Sequence, residues 1–279
     1  MADIKIKHNE TPFGRETNVE VMGVEYGADE LTKAILNTFG RAGMNSAEVN
    51  ITTPDEQATR QAKAVPGLCK LRMIVNGDIS PEDFKTAISE GNVDELISPF
   101  DEIEIPLDTG GSVTVVCGYS DSHTARFVMK DCWDEAVMNE ENTNKTGYFK
   151  SRGRAHVLTD ILPHIAQEWR EIFKPRQMVE IIDGERVEYA DLMWLPSATD
   201  VFGPSEDGYW KDEGDNFQLP IFEKERDRVK ECGDEGTYPY WLRSVAASSL
   251  YYFRGVITSG GSNYSNAYYS YGFAPGFDI

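Results

Sequence analysis

Residues 245–277 read VAASSLYYFRGVITSGGSNYSNAYYSYGFAPGF and hold one charged side chain, Arg254, in a chain that is 27% charged overall. Tyr, Ser, Asn, Gly and Ala make up most of the stretch, and it follows directly on Tyr240-Trp-Leu-Arg-Ser244. That is the composition of a paratope: Tyr offers large, rigid, amphipathic contact area, while Ser, Gly and Asn offer adaptable hydrogen bonds. Leu242, Phe253, Val256, Ile257 and Phe277 supply apolar anchors that a disordered low-complexity tail lacks, so the stretch is expected to fold. In a strand, the adjacent Tyr251, Tyr252 and Phe253 cannot all face one way. At least one tyrosine of each of the clusters 246–252 and 264–271 is therefore expected to be buried.

The 279 residues allow one large domain or two modest ones. A net charge of −20 disfavours nucleic-acid phosphates and anionic membranes as partners. No run of ~18 apolar residues is present to span a bilayer. The opening MADIKIKHNETPFGRE has no apolar core of a secretory signal, which places synthesis in a cytoplasm. Cys69, Cys117, Cys132 and Cys232 show no C-x-x-C pairing, which argues against a zinc or redox motif and for buried free thiols.

Residues 1–27 read as short strands, and Leu31, Ala34, Ile35 and Phe39 predict a helix over 29–39. Thr53-Pro-Asp-Glu56 is a capping box that predicts a helix to about Ala64. Ser80-Pro-Glu-Asp83 opens another, with Phe84 and Ile88 on one face. From there strands dominate. Ile103-Glu-Ile105 alternates, Asp108-Thr-Gly-Gly111 is a turn, and 112–117 and 126–129 read as strands. Val157, Leu158, Ile161, Leu162, Ile165, Trp169, Ile172 and Phe173 fit one helical face, interrupted by Pro163. Asp183-Gly184 marks a two-residue hairpin, 191–195 a buried strand, 200–215 an acidic loop and 223–230 a short charged helix. The order gives an α+β fold with a boundary near 77–80: a smaller mixed N-terminal region, 1–79, and a larger domain, 80–279.

Catalytic and metal signatures are sparse. There is no G-x-S-x-G elbow, P-loop or dinucleotide fingerprint. His156 and His164 lie eight residues apart, too far to share a metal as an i,i+4 pair; with His8 and His123 they read as surface or packing residues. Asp200, Glu206, Asp207, Asp212, Glu213 and Asp215 are oxygen donors suited to calcium, but without EF-hand spacing they read as a solvated loop. No catalytic residue, metal site or cofactor is assigned.

Several segments together resemble a known module: Asp191-Leu-Met-Trp-Leu-Pro-Ser197, Tyr240-Trp-Leu-Arg-Ser244, Phe253 with Val256 and Gly260, and Gly272-Phe-Ala-Pro-Gly-Phe277. It is the C-type-lectin-like module of variable proteins from diversity-generating retroelements and of related bacterial and phage proteins. Met138-Asn139, Asn142-Thr-Asn-Lys-Thr-Gly-Tyr148, Ser151 and Arg154 look like the phage-borne members. The resemblance covers 80–279 and implies a fold shared with formylglycine-generating enzymes. In that family a reverse-transcriptase system randomises adenines, mostly in Asn codons, and the resulting residues form a ligand-selecting surface. Randomising the first two bases of an Asn codon cannot give Lys, Glu, Gln, Met or Trp, and residues 245–277 contain none of these five. Any uncharged loop also lacks Lys and Glu. Gly255, Gly260, Gly272 and Pro275 read as framework.

The resemblance implies a ligand-binding face of Ala247, Ser248, Ser249, Leu250, Tyr251, Tyr252, Arg254, Tyr264, Asn266, Tyr268, Tyr269 and Tyr271, with Trp241 and Phe253 packed beneath and Arg254 as a polar hot spot. It implies a virion-displayed, phage-encoded protein that binds a host-surface protein or glycan. Residues 1–79 would then attach to other virion proteins, and a homo-oligomer is compatible with this arrangement. The alternative is a structural decoration protein whose Tyr-rich face is buried against another subunit. Glu-Pro-Asn and Trp-Asn-Asp calcium-sugar motifs are missing, and no cysteine follows Cys232, which sets aside calcium lectin and oxidase chemistry.

Overall fold

Five strands, β1 (Asp3–Thr11), β2 (Gly14–Met22), β3 (Glu48–Thr52), β4 (Thr59–Val65) and β5 (Leu68–Val75), form one sheet in chain order within the unit Met1–Asp78. Neighbours are antiparallel except β2 and β3, which run parallel. A second unit spans Ile79–Ile279. The computed structural model describes residues 79–279 except 183, 206–212, 214, 247 and 248, together with the backbone of those five strands. The helix expected over 29–39 lies outside the described residues. The helix expected to reach Ala64 is corrected: from Thr59 onward the chain is β4, paired on both sides. A local cap signal yields there to cross-strand pairing, since strand preference depends on neighbours more than on intrinsic propensity.

In the second unit the Ser80 cap behaves as the sequence predicts. Asp83 N donates to Ser80 Oγ (3.3 Å), Ser80 N donates to Asp83 Oδ2 (2.8 Å), and helix α1 (Pro81–Glu90) follows. It buries Phe84 and Ala87, half-buries Ile88 and stops at Gly91. A short turn of helix, α2 (Val93–Leu96), leads into the antiparallel meander β6 (Glu102–Pro106), β7 (Ser112–Ser120) and β8 (Ala125–Met129). In β6 Ile103 and Ile105 point inward and the glutamates outward, as their alternation demands. The next strand, β9 (Asp134–Val137), belongs to a different sheet.

The helical face expected over 157–173 is broken. The chain runs through α3 (Arg152–His156), a π-turn (Val157–Ile161), a 3-10 turn (Leu162–His164) and α4 (Gln167–Arg170). Pro163 has no N–H to continue the ladder, so the helix cannot pass it intact. Val157, Ile161, Ile165, Trp169, Ile172 and Phe173 are still buried, whereas Leu158 and Leu162 are half-buried. The Asp183-Gly184 turn joins β10 (Arg176–Ile182) to β11 (Glu185–Asp191), with Gly184 at φ 81°. The expected 191–195 strand is split: Asp191 ends β11, and Met193–Trp194 pair separately as β12. It joins β19 (Gly276–Asp278) in the sheet β12-β19-β8-β7-β6, whose core contacts include the stacked Phe173 and Phe277 rings, 4.0 Å apart.

The acidic segment 200–215 is also corrected. Of its described acids, Asp200 and Glu213 are buried and Asp215 is half-buried. Ser197 and Asp200 form a capping box on α5 (Ala198–Phe202), and Asp200 accepts from Arg176 Nη2 (2.7 Å). Asp215 accepts from Arg176 and Arg243 (2.5 Å each), and the Arg176 guanidinium lies 4.1 Å over the Trp194 ring. Burial opposes ionisation of Asp215, but Arg243 and Arg176 hold its carboxyl well below the usual range. Glu213, fully enclosed, is pushed the other way, up to about 7, by burial. Asp200 and Asp215 are thus internal partners of arginines, and among the described residues no His, Cys, Asp and Glu side chains gather as a metal site. The charged helix expected over 223–230 shrinks to a 3-10 turn (Glu225–Arg228), and β13 (Lys230–Glu231) follows, paired with β14 (Thr237–Tyr238). Helices and antiparallel and mixed sheets make the second unit α+β.

Candidate functional site

The uncharged stretch is folded into strands. β15 (Tyr240–Val245), β16 (Tyr252–Val256), β17 (Ser262–Asn266) and β18 (Ser270–Phe273) join β9 in the order β17-β16-β15-β18-β9. The β15–β18 pair is parallel and the others are antiparallel. Beneath, Trp241 and Phe253 are fully buried, 6.4 Å apart edge to face, and Trp241 Nε1 donates to Ala136 O (3.1 Å). Two close approaches fix the frame. Gly260 sits at φ 89° in the β16–β17 turn, where a methyl would collide with Glu225 O, and a methyl on Gly272 would collide with Cys132 Sγ.

The β16–β17 register sets Tyr252 opposite Asn266 and Arg254 opposite Tyr264. Ala267 N donates to Tyr251 O (3.1 Å), so the two tyrosine clusters meet at one end of the sheet. Leu250, Tyr251, Tyr252, Tyr268 and Tyr269 are all exposed, from 37% at Tyr252 to 53% at Tyr251. Tyr251 and Tyr252 have ring centroids 6.4 Å apart, and Tyr268 and Tyr269 4.9 Å, both edge to face. A hydrogen bond to Tyr269 raises the Tyr268 phenol above its ordinary range, with a smaller contribution from nearby Tyr252.

The expectation of a buried tyrosine in each cluster is corrected. No tyrosine of either cluster is buried; Phe253 takes the inward position, and Tyr264 and Tyr271 are half-exposed. Arg254 is buried. Its guanidinium donates to Ser262 Oγ (2.5 Å) and to the Tyr264 hydroxyl, and lies 4.0 Å over the Tyr264 ring. Tyr271 stacks on Trp241 (4.6 Å) and its hydroxyl receives a bond from Ser265 Oγ (2.7 Å), on the face of the sheet opposite Tyr252 and Arg254. Ser249 and Asn266 are half-buried and engaged by the neighbouring loop, and Ala247 and Ser248 lie outside the described residues.

That loop, residues 138–148, is what sequence reasoning missed. Asn144 N donates to Leu250 O (2.8 Å), and its side-chain amide donates to Ser249 O (2.8 Å) and Tyr252 O (2.7 Å). Asn142 treats the other cluster likewise: Nδ2 donates to Asn266 Oδ1 (2.8 Å), and Oδ1 accepts from Ala267 N (3.2 Å). Asn139 N adds a bond to Ala267 O (2.9 Å). Two asparagines more than 100 residues upstream therefore hold the backbones whose side chains face solvent. The Asn142-Thr-Asn144 run was visible, but nothing local to it reveals its distant partners.

Residues 123–279 match the model of the DUF6273 family, described as a domain of unknown function. The chain belongs to that family. Its DUF6273 region begins just before β8 and holds the whole of the β17-β16-β15-β18-β9 sheet, both tyrosine clusters and the asparagine loop. No curated protein and no solved structure matches the chain.

Proposed function

We propose that this chain is a ligand-binding protein whose contact face is the cluster Leu250, Tyr251, Tyr252, Tyr268 and Tyr269. The observation that carries this reading is the pairing of five exposed apolar and aromatic side chains with a backbone tied down by Asn142 and Asn144. Aromatic anchors on a pre-ordered loop bind at low entropic cost, whereas the same rings on a loose loop would have to be ordered first. Contiguous exposed apolar surface of this kind marks interaction sites. In this reading 80–279 is the C-type-lectin-like module of a diversity-generating retroelement, phage-encoded and displayed on a virion, and it binds a host-surface molecule without catalysis.

The test uses the labelled full chain on a panel of intact bacteria. Binding to some strains is expected, with loss in a variant carrying Ala at 251, 252, 268 and 269 and an unchanged urea midpoint. Cell binding that survives the four substitutions, or collapse of the fold, overturns the reading. For the diversification claim, the gene's flanks should hold a near-copy of the segment encoding 245–277 that differs at adenines, beside a reverse-transcriptase gene; flanks without one overturn that claim.

A further inference from the structure

The tyrosine face sits on the most acidic part of the molecule. Residues 79–279 carry 36 acidic and 18 basic side chains, a net of −18, so nearly all of the chain's −20 belongs to this unit. The field of such a unit draws cationic partners in and turns anionic ones away. The face residues Leu250, Tyr251, Tyr252, Tyr268 and Tyr269 carry no formal charge to do this locally. The neighbouring loop holds Glu140, Glu141 and Lys145, and Glu140 pairs with Arg152 of α3. What the face offers at contact distance is ring faces: four exposed tyrosines in two edge-to-face pairs, brought to one end of the sheet by the Tyr252–Asn266 register and the Ala267 N to Tyr251 O bond. An aromatic face carries negative quadrupolar potential and binds ammonium and guanidinium groups.

The unit already uses this chemistry internally. Arg254 lies 4.0 Å over Tyr264 on the Tyr252 side of the same sheet, Arg176 4.1 Å over Trp194, and Arg154 5.0 Å over Tyr189. In each case a basic side chain, and no acidic one, is what the ring receives. Resting on the docking surface proposed above, we infer that its partner presents a basic protein segment, with a lysine or arginine side chain seated against Tyr252 and Tyr268. The long-range field brings the segment in, and the rings select its cation.

The experiment is calorimetric titration of the full chain with three peptides of alternating glycine and one further residue: lysine, trimethyl-lysine, or the neutral carbon isostere of trimethyl-lysine. The two cationic peptides should bind at least about tenfold tighter than the isostere, a gap that two ring contacts supply. Tyr252→Ala with Tyr268→Ala should erase most of that gap, and Phe at both positions should restore it, because the ring and not the hydroxyl is the contact. Raising salt should weaken both cationic peptides while a preference over the isostere persists. Equal binding of isostere and cation overturns the inference, and so does a gap indifferent to the alanine pair, which would assign the attraction to the acidic surface alone. If cell binding depends on the tyrosines but the peptides show no cation preference, the partner class is wrong and the docking surface stands. If neither depends on the tyrosines, both fall.

Discussion

The tyrosine face and the arginine–carboxylate cluster beside Trp194 invert the usual distribution of side chains. One exposes five large apolar or aromatic groups; the other buries Arg176, Arg243, Asp200 and Glu213, with Asp215 half-buried among them. Each is held by its surroundings, but the energetic consequences are opposite. Buried charges hold one another, so removing one strands the rest. The exposed rings are held by almost nothing, and their backbones are fixed by amides elsewhere, so the rings are free to change.

The comparison breaks most visibly at Arg243. Arg243→Ala takes from Asp215 one of its two paired arginines and from the Glu213 carbonyl its donor, and should cost about 3–5 kcal/mol in urea unfolding. Next is pH. The folded pKa of Glu213 is raised to about 7, above its unfolded value, so its carboxyl is neutral in the fold when the unfolded chain has already ionised. Stability from this group therefore falls as pH rises from the ordinary glutamate range to about 7, and a penalty of about 3 kcal/mol persists above that. Glu213→Gln should remove this slope, raising the urea midpoint at pH 8 and leaving pH 4.5 nearly unchanged. Asp215 behaves oppositely: its depressed pKa contributes stability that is lost as pH drops below the ordinary aspartate range. Unfolding curves of wild type and Glu213→Gln, carried from pH 8 down to about pH 2, separate the two.

On the other side, Asn144→Ala removes the amide that bridges the carbonyls of Ser249 and Tyr252 and should cost about 1–3 kcal/mol. Hydrogen exchange should quicken at Ala246, whose N–H closes the loop on Tyr252 O, and stay slow in β8. The smallest effect belongs to the rings. Ala at 251, 252, 268 and 269 together should move stability by about 1 kcal/mol or less, since exposed side chains contribute little to the fold. A larger drop would mean that the rings are structural, and the contrast between the two regions would disappear.

Local chemistry was legible in the sequence where its partners were local. The Ser80 cap, the Asp183-Gly184 turn and the alternation of Ile103 and Ile105 each act within a few residues, and each forms as read. The fate of Thr59–Val65 was not legible, because its strand state is conferred by β3 and β5 on either side. Nor were the burial of Asp200 and the pairing of Asp215. Composition marks an acidic segment as solvated unless the reader knows that Arg176 and Arg243 arrive from β10 and β15. At the site, the exposed tyrosines stood out by composition. Arg254 misled for the complementary reason: a lone cation in an uncharged stretch reads as a hot spot, yet its partners Ser262 and Tyr264 lie across a strand pair within the same stretch.

The strand Gly276–Asp278 lies downstream of both tyrosine clusters and sits inside the β12-β19-β8-β7-β6 sheet, where Asp278 locks onto Arg126 and Phe277 is fully enclosed. A shifted reading frame anywhere in the tyrosine-rich codons would therefore erase a central strand of the other sheet. Single-codon changes at the exposed positions leave that strand intact. The far sheet is thus a check on the integrity of everything encoded before it: substitutions on the face that keep the frame leave it whole, and a slipped frame removes one of its paired strands.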